Sequence, residues 1–83
     1  MQAIDLVRML NQIAAFHGGY PRDEAVAAAT KHVRDFWDPR MRERMAAHLA
    51  SGGEGLSEIA RAAAAKACPP PSASDRGATA TAA

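Results

Sequence analysis

The sequence has 83 residues, a formal net charge of +1, a single cysteine and an apolar content of 48% that is rich in alanine. That length sets a ceiling of one small domain, burying only about 60% of the surface its unfolded chain exposes, and alanine combines high helix propensity with little buried area, which predicts a helical fold with a thin core. The near-neutral charge gives no strong field for nucleic acid or an anionic membrane, Cys68 alone excludes an internal disulfide, and neither a leader nor a membrane-spanning run is expected, so the chain reads as soluble and cytoplasmic.

From Ala3 to His17 the residues Leu6, Met9, Leu10, Ile13 and Phe16 recur at helical spacing, with Asp5, Arg8 and Gln12 opposite, which predicts a first amphipathic helix. Gly18-Gly19 predicts a stop with a left-handed residue, and Pro21, Asp23 and Glu24 supply first-turn chemistry for a second helix packed on the first as an antiparallel hairpin. There Val26, Ala29, Val33, Phe36 and Trp37 form one stripe, with Lys31 and Asp35 on the solvated face at i,i+4 spacing. Pro39 disfavours helical backbone at Asp38, so the second helix ends there, and Asp38 caps a third helix that starts on Pro39 and runs to about Ala50. Gly52-Gly53-Glu54-Gly55 breaks the chain, and Leu56 to Ala67 predicts a weak fourth helix with Leu56, Ile59 and Ala63 facing a neighbour. From Cys68 onward proline and small residues are too poor in apolar bulk to offset the entropy of ordering. The expected architecture is an all-α small bundle of three main helices plus a weak fourth over residues 1–67, with a disordered tail over 68–83.

No catalytic constellation stands out. His17, His32 and His48 lie on different predicted helices with no i,i+3 or i,i+4 ligand pair, and His17 is expected to pack or cap a helix end. The carboxylates fall mainly on polar faces, where nothing raises a pKa for general acid work. The serines lack His and Asp support, and both glycine pairs follow helices, unlike a phosphate loop.

On an ideal third helix Met41, Met45 and Leu49 form the apolar stripe, Arg40, Arg44 and Ala47 one flank, and Arg42 the other. The arginines therefore do not converge on one phosphate. Arg40 and Arg42 also occupy the first turn, where cations oppose the helix macrodipole by about 0.3 to 1 kcal/mol each. Solvated local ion pairs would explain them, and so would an acidic partner. Trp37 reads equally as a core plug or a docking anchor, and Phe36 as a core residue.

Asn11-Gln12-Ile13, Pro21 and the run His32-Val33-Arg34-Asp35-Phe36-Trp37-Asp38-Pro39-Arg40-Met41-Arg42 together resemble the delta subunit of NAD-dependent, molybdenum-containing formate dehydrogenases. The resemblance spans residues 4–64, while the turn from His17 to Tyr20 and the tail after Cys68 depart from the pattern. It implies a non-catalytic accessory subunit of a soluble complex that oxidises formate to carbon dioxide and reduces NAD. It further implies no cofactor in this chain, the molybdenum bis-pterin guanine dinucleotide, iron-sulfur clusters and FMN being held by larger subunits. The implied direct partner is the alpha subunit, with beta and gamma subunits in the same complex, and the implied role is support of assembly, cofactor insertion or stability. The residues expected at that interface are Trp37, Arg40, Met41, Arg42 and Arg44, with no nucleic acid or membrane as partner. The alternative is a small helical regulatory or nucleic-acid-binding module that uses the third helix for recognition.

Overall fold

The computed structural model describes residues 2–69 as four helices, α1 (Ala3–Phe16), α2 (Arg22–Phe36), α3 (Pro39–Ala50) and α4 (Glu58–Ala67), with no strand among the described residues. The expected disorder of residues 70–83 lies outside the described residues. No helix is long and apolar enough to cross a membrane, among the described residues.

Helix α1 opens with the Gln2 amide donating to Asp5 Oδ2 at 3.1 Å, which satisfies a backbone donor ahead of the first turn. Leu6, Val7, Leu10 and Ala14 are its buried face. The predicted left-handed stop at Gly18-Gly19 is not what ends it: among the described residues positive φ occurs only at Gly52, Gly53 and Gly55. Instead α1 tightens, with the amides of His17, Gly18 and Tyr20 each bonding the carbonyl three residues back at 3.0–3.2 Å. His17 caps the end through its Nδ1, which donates to the Ile13 carbonyl at 3.0 Å.

The left-handed device is used one break later. After α3, the Gly53 amide bonds the His48 carbonyl at 2.9 Å and the Gly52 amide bonds the Leu49 carbonyl at 3.0 Å. These are the two bonds of a Schellman motif, which needs positive φ past the helix end. The φ values of Gly52 and Gly53 are 117° and 65°, a backbone that favours glycine, and a Cβ on Gly53 would also push aside the Arg61 guanidinium 2.7 Å away.

Helix α4 starts two residues later than the sequence suggests. Ser57 is its cap and accepts from the Ala60 amide at 3.2 Å, while Leu56 sits in the loop ahead of it. Although its sequence pattern is weak, α4 packs against α1, α2 and α3, and most extensively against α2. Its buried residues Ala60, Ala63, Ala64 and Ala67 are all alanine, and the fully buried Ala25 and Ala29 of α2 are equally small. Such faces let backbones approach closely but bury little area each, so larger side chains must supply the core. Leu6, Leu10, Val33, Trp37 and Met45 do so, with Met9, Ile13, Met41, Leu49, Leu56 and Ile59 half-buried against them.

Cys68 joins that core at the C-cap of α4, 1% exposed, although the sequence assigns it to the tail. Burial pushes its thiol up to about 11, against a smaller opposing pull from the Arg42 guanidinium. On the surface, Arg22 of α2 donates through Nε to both carboxylate oxygens of Glu58 at 2.9 Å, tethering the starts of α2 and α4. These bonds hold Glu58 below the usual glutamate range, outweighing desolvation. A lowered folded pKa means that this contribution is present above the ordinary glutamate value and is lost as pH falls through the folded one. Lys31 and Asp35 form the expected i,i+4 pair.

Candidate functional site

The junction of α2 and α3 is built from a few local rules. Pro39 ends the helical path, Trp37 takes extended backbone (φ −89°, ψ 135°) and Asp38 follows it (φ −79°, ψ 168°). The Asp38 carboxylate then accepts from the Met41 amide at 2.9 Å, capping α3 with Pro39 in its first turn. Asp38→Ala removes that acceptor and is expected to cost about 1 kcal/mol, read as a lowered thermal midpoint. A midpoint unchanged from wild type would show that the cap contributes nothing.

The break also decides where the two rings go, and it reverses the expectation for Phe36. That residue is the last of α2, keeps the helical direction and is 73% exposed, its ring 4.8 Å from that of His32 one turn earlier. Trp37 leaves the helix line on extended backbone and enters the core, 5% exposed. In this conformation Trp37 gives a partner almost no surface of its own; it is a plug that fixes the junction's shape. Phe16, which periodicity places with Met9 and Ile13, is likewise 84% exposed, because it lies at the end of α1 beyond the side chains that cover the rest of the stripe.

The α3 arginines divide between two flanks. Arg40 and Arg44, one turn apart, line a depression of about 300 Å³ with Leu6, Asp38 and Met41. Arg42 lines a separate one of about 190 Å³ with Pro39, Glu43, Ala67, Cys68 and Pro69. Among the described residues the ion pairs are Asp5–Arg8, Arg22–Asp23, Arg22–Glu58 and Lys31–Asp35, so none of the three arginines takes part in one. The Arg42 Nε is buried and has no hydrogen-bond partner among the described residues, an arrangement that costs free energy. Met45 is fully buried and Met41 half-buried, which leaves the Met41 edge open between the arginines.

The histidines do not meet. His17 and His48 are each engaged with a backbone carbonyl, Ile13 and Glu54 respectively, and His32 lies against Phe36. No group of three or more His, Cys, Asp or Glu side chains is placed to hold a metal, among the described residues.

Two polar contacts of the fold were not foreseen. Asn11 donates from Nδ2 to the Gly55 carbonyl at 2.9 Å and accepts at Oδ1 from the Ser57 amide at 2.9 Å, and Arg61 donates to the carbonyls of Gly52 and Gly53 at 2.9 and 3.0 Å. Asparagine facing a glycine-rich segment is a compositional hint, but its partner is more than forty residues away. Sequence spacing cannot reveal such a pairing.

No curated protein and no solved structure matches the chain. A family match does exist, to the NADH-dependent formate dehydrogenase delta subunit FdsD, over residues 5–64. That range takes in most of α1, all of α2, the Asp38-Pro39 junction, all of α3 and most of α4. It covers well over half of the sequence, and the chain therefore belongs to the delta-subunit family of NADH-dependent formate dehydrogenase.

Proposed function

We propose that this chain is a non-catalytic accessory subunit that binds the molybdopterin-containing alpha subunit of a molybdenum-dependent formate dehydrogenase through the α2–α3 corner. Arg40, Met41 and Arg44 form the exposed contact, Arg42 extends it on the second flank, and Trp37 shapes it from beneath. The beta and gamma subunits belong to the same complex, and the cofactors, molybdenum bis-pterin guanine dinucleotide, iron-sulfur clusters and FMN, are assigned to the larger subunits. This chain's one thiol is buried in the core and protonated, a poor ligand set for any of them.

The observation that carries the reading is the state of α3. Among the described residues three arginines stand in no ion pair around a half-buried methionine, two of them in a first turn where the macrodipole opposes them. Acidic groups on a partner would relieve that, and arginine is a frequent energetic anchor of protein interfaces. The role that follows is support of the alpha subunit's assembly, cofactor insertion or stability.

The experiment co-expresses the dehydrogenase subunits with the chain present, absent, or carrying Arg40→Glu with Arg44→Glu. Both sites are exposed, so helicity is retained. Charge reversal is expected to lower recovery of the chain with the alpha subunit by about tenfold or more, and omission of the chain to lower the molybdenum content of the complex. Full recovery and full molybdenum loading in the absence of the chain would defeat the proposal.

A further inference from the structure

A second surface lies at the other end of α2. Phe16 is 84% and Tyr20 56% exposed, and the His17 ring stands between them at centroid separations of 5.2 and 5.7 Å. Single exposed apolar residues are ordinary, but rings gathered on a tight turn form a patch. Aromatic residues of this kind are enriched at the centres of interfaces. The His17 hydrogen bond to Ile13 fixes the middle ring on the end of α1, so the patch is already organised.

The charge around this patch is opposite to that of the α2–α3 corner. Arg22 stands with three carboxylates, Asp23, Glu24 and Glu58, and its guanidinium is taken up by Glu58. Its approach to Asp23 is long, at 3.7 Å, with the Asp23 side chain almost wholly exposed. The chain is thus acidic and aromatic at the start of α2 and basic just past its end. The helix between them has 15 residues, about 22 Å of rise. One flat partner surface with a single sign of charge does not complement both ends.

We propose that Phe16, Tyr20, Asp23 and Glu24 form a second docking surface whose occupant is a cationic surface with an apolar centre on a second subunit of the complex. The chain then bridges two subunits. This rests on the reading above, in which the α3 arginines hold the alpha subunit.

The test places a photo-crosslinking residue in the full chain within the co-expressed complex, at Tyr20→p-benzoylphenylalanine in one sample and Arg40→p-benzoylphenylalanine in another. Crosslinked peptides are then identified by mass spectrometry. The expected result is that position 20 captures a lysine- or arginine-rich segment of a subunit different from the one captured at position 40. Adding Asp23→Lys with Glu24→Lys should cut the position 20 product by about tenfold or more and leave that of position 40 unchanged. Three outcomes overturn the proposal: both positions capture the same subunit, position 20 captures a second copy of this chain, or position 20 captures no protein. Capture at position 40 of a subunit other than alpha would instead defeat the assignment of the α3 corner, whatever position 20 reports.

Discussion

Trp37→Ala is expected to abolish cooperative folding of the isolated chain or to bring it close to that point. The ring is 5% exposed and belongs to the same buried cluster as Leu6, Leu10, Val33 and Met45. Removing such a ring costs about 3–5 kcal/mol in lost transfer energy and residual cavity. Small domains have about 5–15 kcal/mol in total, and this core is otherwise largely alanine, so little remains. The matched control is Phe36→Ala, one residue earlier and 73% exposed, for which a change within about 0.5 kcal/mol is expected. Thermal melts followed by far-UV circular dichroism separate the two. Equal losses for the two rings would show that their assignment to core and surface is wrong.

The second large effect is expected from adding atoms. Ala63 is fully buried on α4, whose principal neighbour α2 also presents the fully buried Ala25 and Ala29. A leucine at position 63 adds three carbons to a fully buried site, and overpacking of this kind typically costs about 1–3 kcal/mol. In a domain of this size each 1 kcal/mol lowers the thermal midpoint by about 4–8 °C. Ala65→Leu on the exposed side of the same helix should be close to neutral, since leucine is a good helix former. A destabilisation shared by both substitutions would point to helix propensity, and one confined to position 63 to the tightness of the α2–α4 contact.

How much of this was legible in the sequence depended on whether the signal was local. The start of α3 was fully legible, because Asp38-Pro39 combines a cap with a residue that fixes φ, and the helix runs over Pro39–Ala50 as expected. The division of the arginines between two flanks was legible too, since helical geometry alone dictates it. The fates of Phe36 and Trp37 were not. Periodicity extends a stripe as though the helix continued, whereas the helix stops at Phe36 and the next side chain is aimed by extended backbone. Phe16 was misread for a related reason, as its spacing is right but its stripe outruns the side chains that cover it. The two glycine pairs looked equivalent. Only the second is followed by a loop that must fold back so that Asn11 and Arg61 can reach its carbonyls, and only there is positive φ used. The weight carried by α4 was hidden because alanine gives little hydrophobic contrast between the faces of a helix.

Those alanines have a mechanical consequence. A surface of methyl groups lacks the large knobs and deep grooves that normally stop one helix from sliding along another, so beyond Ile59 in its first turn α4 has little in its apolar face to fix its axial position. A slip by one turn would displace it by about 5.4 Å, far beyond hydrogen-bonding reach. It would break the two Asn11 bonds and the Arg22–Glu58 pair together, and these grip the chain at the entrance to α4. The polar contacts at one end of the helix therefore act as an index pin: the alanine face supplies adhesion, and Asn11 with Arg22 sets the phase in which it adheres.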